Sequence, residues 1–119
     1  MTAVYVAVGS ALGGVCRHVV SVLLNSPSGF PWGTLGVNVF GSLAIGLLSG
    51  WLAHGTGNAA AIRAFAVIGF CGGFTTFSTF SSEAFRMMEQ SQWGMFVGYV
   101  VVSLLAGFTA VGLGYLISK

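Results

Sequence analysis

"GFCGGFTTFSTFSSE", residues 69–83, places two adjacent glycines ahead of a run of hydroxyls interleaved with phenylalanines, all inside an apolar segment. Glycine costs about 1 kcal/mol relative to alanine in a helix interior. Gly72 and Gly73, followed by the β-branched Thr75 and Thr76, therefore predict an interruption and not a smooth helix. In a bilayer, freed backbone groups must be buried in protein or line a wet cavity. Interrupted spans recur at ion sites, where half-helix N-termini offer positive dipole ends and unwound carbonyls can hold a cation. The competing reading of the same glycines is a notch into which another helix packs.

The surroundings make this a membrane question. Of 119 residues, 55% are hydrophobic and 5% charged, with a mean hydropathy of +0.93. The charged residues are Arg17, Arg63, Glu83, Arg86, Glu89 and Lys119, too few to cover a soluble surface. They leave uncharged runs at 1–16, 18–62, 64–82 and 90–118. A spanning helix needs roughly 20 mostly apolar residues. The run 18–62 exceeds one span and divides at "NSPSGFP", whose composition favours a turn. The expectation is an all-α membrane protein, one domain over 1–119, with spans at 2–24, 32–53, 60–88 and 92–117. The third is expected to break near 72–76.

Several classes are disfavoured. The first span lacks a basic leader, and Arg17 interrupts it where a signal-peptide cleavage site would fall. Cys16 and Cys71 have no metal-ligand spacing and read as small buried hydrophobes. No basic patch suits nucleic acid. HExxH, GxSxG and paired intramembrane acids are missing from the sequence, so no enzyme is expected.

Charge does not set an orientation. Arg63 and Lys119 fall on one side of a four-span chain, Arg17 and Arg86 on the other, which gives no positive-inside bias. Either a small chain has few charges, or it inserts both ways and pairs with an inverted copy. Ser42, Gly46 and Gly50, then Gly94 and Gly98, then Ala110 and Gly114, are spaced for close helix approach. Those contacts can lie within one chain or between copies. Four short helices with so few inward polar groups would struggle to enclose a polar path alone, so an oligomer is expected.

The polar residues suggest what such a path carries. Phe70, Phe74, Phe77 and Phe80 share a helical side, and hydroxyls fill the gaps. A stripe like this is ordinarily core packing. Yet a phenyl edge is electropositive, and edges beside hydroxyl donors tolerate an anion without trapping it. Asn38 lies deep in the second span, flanked by Thr34 and Ser42, and serves either helix–helix bonding or a pathway. Ser103 and Thr109 either extend a polar track or bond back to their own helix. Spans one, two and four hold no carboxylate, which favours a small anion over a cation or a proton-coupled substrate. Arg17 either draws anions from one side or snorkels to the interface. His18 and His54 read as interfacial.

"GGVCRH" (13–18), "WGTLGVNVFGS" (32–42) and residues 69–83 together resemble the Fluc (CrcB) fluoride channels, and the resemblance runs through all four spans. It implies an antiparallel, dual-topology homodimer in the lipid of the bacterial inner membrane, with two pores that export fluoride passively. By the same resemblance Phe77 and Phe80 match the pore phenylalanines and Asn38 the pore asparagine. Thr34, Ser78 and Thr79 match the accompanying hydroxyls. The carbonyls of Gly72 and Thr75 from each subunit would hold a structural Na+ at the dimer centre. Arg17 and Glu83 match the family's first-span arginine and motif-closing glutamate, at the anion access or the interface. The rival readings are a small dual-topology multidrug exporter, which would need an acid in span one, and a non-transporting membrane subunit.

Overall fold

Backbone N–H and C=O groups in lipid must be satisfied within the chain, and the long uncharged runs do so as helices. The computed structural model describes residues 1–26, 29–55 and 57–119. Helix α1 covers Thr2–Leu24 and α2 covers Trp32–Leu52. The third span begins with α3, Ala59–Ile62, continues as a π-helical stretch Arg63–Cys71 and closes with α4, Gly72–Phe74. After Thr75 and Thr76 it resumes as α5, Phe77–Glu89, and α6 covers Trp93–Ser118. Among the described residues, four helical segments are long and apolar enough to cross a membrane: Thr2–Leu24, Trp32–Leu52, Ala59–Glu89 and Trp93–Ser118. The turn read at "NSPSGFP" includes residues 27 and 28, which lie outside the described residues.

Glycine decides which helices touch. The first half of the third span packs along α1, and α2 packs along α6. A Cβ at Gly13 would stand 2.8 Å from Phe74 N, and one at Gly73 would stand 2.6 Å from Ser10 O. Across the other pair, a Cβ at Gly114 would meet Leu43 O at 2.6 Å and Leu47 N at 2.8 Å. Gly46 and Gly50 face the α6 backbone in the same way. The small residues of α2 and the second pair on α6 thus join helices within one chain, whereas Gly94 and Gly98 face open space.

The connection between α5 and α6 is tight. Gln92 N donates to Met87 O at 2.8 Å and Ser91 N to Met88 O at 3.0 Å, with Ser91 in the left-handed region at φ 57°. This is a Schellman-type stop, a place usually held by glycine. Beneath it Ala84, Met87 and Tyr99 form a small buried cluster joined by Phe30, Phe80 and Phe96. Outward faces carry Leu12, Phe40, Leu105 and Phe108, as lipid contact requires. Cys71 is buried, whereas Cys16 faces outward.

Candidate functional site: the interrupted third span and its groove

The interruption begins two residues beyond the glycine pair, within the expected range 72–76. Gly72 and Gly73 keep helical angles, and the chain becomes extended at Thr75 (φ −83°, ψ 157°) and Thr76 (φ −149°, ψ 122°). Gly73 serves close approach to α1. The extended step comes from β-branched threonines whose hydroxyls offer the backbone local partners. Thr75 N and Thr75 Oγ1 both donate to Cys71 O, each at 2.9 Å. Thr76 Oγ1 accepts from Thr79 N at 3.1 Å and so caps α5.

Two side chains from other helices complete the break. Asn38 Oδ1 accepts from Thr76 N at 2.8 Å, and Asn38 Nδ2 donates to Thr76 O at 3.2 Å. An amide side chain thereby replaces a peptide partner on both sides of one residue. Arg17 Nε donates to Gly73 O at 3.1 Å, placing a cation at the C-terminal end of α4. Of its two readings from sequence, neither included this carbonyl.

Beside the break lies an open groove of about 250 Å³, lined by Asn38, Ser42, Thr75, Phe77, Phe80 and Ser103 together with a few small and aliphatic neighbours. No carboxylate is among its lining residues. Ser103 Oγ is buried and has no hydrogen-bond partner among the described residues. It does not bond back to its own helix. Asn38 has two amide hydrogens and commits one of them to Thr76. The rings of Phe77 and Phe80 sit 6.1 Å apart, and Phe77 is 79% exposed on the single chain. The groove therefore offers uncommitted donors and aromatic surface with no negative charge.

Thr34 and Glu83 occupy a second constellation. Thr34 is fully buried, and its hydroxyl donates to Glu83 Oε2 at 3.1 Å. Tyr99 OH donates to Glu83 Oε1 at 3.0 Å, and Asn25 Nδ2 reaches both Thr34 Oγ1 (3.2 Å) and Glu83 Oε2 (3.3 Å). The Tyr99 ring lies 5.0 Å from that of Phe80, so this cluster adjoins the groove. Ser78 and Thr79 lie on the first turn of α5 outside the groove lining, with Ser78 Oγ 3.4 Å from Thr76 Oγ1. Thr109 lines a separate apolar groove between α2 and α6. Asn25 and Tyr99 escaped the sequence reading. A single asparagine at a helix end and a single tyrosine in an apolar helix carry no signal until the fold brings them to Glu83.

The chain matches the family model described as "CrcB-like protein, Camphor Resistance (CrcB)" over residues 4–115. It belongs to the CrcB-like family. A protein of Methylobacterium nodulans named "Fluoride-specific ion channel FluC" is 48% identical over 108 residues, covering 90% of this chain and 87% of its own. One from Sphingopyxis alaskensis with the same name is 43% identical over 116 residues, covering 96% and 92%. A third, from Bacteroides fragilis, is 37% identical over 116 residues, covering 93% and 91%. Each of these relatives aligns with this chain along nearly its whole length.

Proposed function

We propose that this CrcB-like chain is one subunit of a fluoride-selective channel that lets fluoride leave the bacterial cytoplasm passively across the inner membrane. The observation that carries the reading is the acid-free groove with an orphaned Ser103 hydroxyl and an uncommitted Asn38 amide hydrogen. Buried donors without partners are costly, and a small anion is the ligand that satisfies several at once. One neutral hydrogen bond contributes only about 1 kcal/mol net. Replacing the hydration of a halide therefore takes the donors and the positive edges of Phe77 and Phe80 acting together. Weak, multiple contacts also let the ion leave. That the ion is fluoride is inferred from the names of the relatives.

The groove is open on one side, and Phe77 faces outward there. A second copy inserted the opposite way closes it in this reading, which the balanced charge supports. Arg63 and Arg86 stand at nearly equal chain distances on either side of Thr75, which suits an interruption near the bilayer midplane. Among the described residues no hydrogen bond reaches the carbonyls of Gly72 or Thr75. Two free carbonyls per chain fit a Na+ shared at the dimer centre, where it would supply fixed positive charge between the copies. Arg17, already committed to Gly73 O, holds the end of α4 beside them.

Efflux from liposomes bearing the purified protein, with fluoride against chloride, tests the reading. Fluoride is expected to leave rapidly while chloride is retained. Equal rates for the two ions, or no efflux of either, rule it out.

A further inference from the structure

We infer that Asn25 is a positioning residue for the channel, fixing the Glu83 carboxylate and the start of α2 as one unit. The inference rests on the channel reading above and concerns a residue outside the groove. Helix α2 begins after Pro31, whose side chain has no acceptor for the free N–H groups of the first turn. Asn25, from the end of α1, supplies it: Oδ1 accepts from Gly33 N at 2.7 Å and from Thr34 N at 3.3 Å. The same amide then turns its nitrogen to Thr34 Oγ1 and Glu83 Oε2. One side chain therefore joins the ends of α1 and α2 to α5. Through Glu83 and Tyr99 the unit meets the Phe80 ring that lines the groove.

The two halves of this amide separate a capping role from a positioning role. Aspartate caps a helix as well as asparagine does. In Asn25→Asp the bonds from the Gly33 and Thr34 backbone N–H groups remain, but an acceptor replaces the donor that faces Thr34 Oγ1 and Glu83. Two carboxylates at hydrogen-bond distance compete for a proton. The other charged or titratable groups facing this cluster are Tyr99 from α6 and Arg86 on α5 itself. Helices α1 and α2 present the neutral Asn25 and Thr34.

Fluoride efflux from liposomes, read from pH 6 to 8 against wild type with thermal melting as the fold control, decides it. Losing a hydrogen bond to a charged acceptor corresponds to about tenfold or more. Asn25→Asp is expected to keep its fold but melt lower at pH 8 than at pH 6, to lose about tenfold in flux at pH 8 and to recover towards pH 6. Asn25→Ser, whose oxygen is one bond shorter and reaches neither Gly33 N nor Glu83, is expected to melt lower and to lose flux at every pH. Wild-type flux at all pH values in either variant, or a loss in Asn25→Asp that does not change with pH, overturns the inference. A silent wild type refutes the channel reading instead.

Discussion

Asn38 carries the most at the scale of single residues. Its amide meets both backbone groups of Thr76, and one hydrogen is left over at the groove. Removing it leaves two backbone groups unpaired, each costing about 1–3 kcal/mol if buried. Asn38→Asp keeps the acceptor for Thr76 N but loses both donors and adds a negative charge beside the anion path. It is expected to abolish fluoride efflux while the protein still elutes as the wild type does. Phe80→Ile retains apolar bulk and removes the aromatic edge, and the same pair of measurements should show a blocked but assembled protein. Unchanged flux in both variants removes these two residues from the pathway. Ser103→Ala is a gentler probe. It deletes an unpartnered hydroxyl, so thermal stability should hold or rise slightly while flux falls, and a loss of stability instead would reveal a packing role.

The helices depend on glycine-to-backbone contacts that tolerate no side chain. Gly114→Leu sets a side chain against Leu43 O and Leu47 N, and overpacking of this kind costs about 1–3 kcal/mol even where flexible atoms can give way. Thermal melting in detergent should show the loss, with Gly94→Leu, in open space, as the harmless control. Ser91→Gly relieves the left-handed φ at the end of α5 and should raise the melting midpoint by a small amount. Much at this scale was legible beforehand. Charge-free runs of about 20 residues locate helices because lipid leaves the backbone no other choice. The cause of the interruption was not legible. The expected range 72–76 includes the extended step, but glycine's low propensity pointed to its start; Gly73 stays helical, packed tightly against Ser10, and Thr75 and Thr76 extend where Asn38 pairs with one of them. Asn25, Thr34, Glu83 and Tyr99 are far apart in the chain, and no spacing rule could have joined them.

For the whole molecule, the open groove and the exposed Phe77 fit the proposed second copy, and the balanced charge is compatible with that copy inserting upside down. Orientation can be read with Glu89→Cys in a Cys16→Ala, Cys71→Ala background. If the chain inserts both ways, an impermeant thiol reagent added outside sealed cells should label about half of the protein, with the rest labelled only after permeabilisation. Complete or null labelling from one side contradicts dual insertion. How two copies would meet is the decisive question. An experimental density map of the protein in a lipid bilayer tests that most directly. It should show two oppositely oriented chains in contact at Thr75 and Thr76, with each Phe77 ring turned into a closed passage. A map with an unbroken third helix and Phe77 lying among the acyl chains contradicts it.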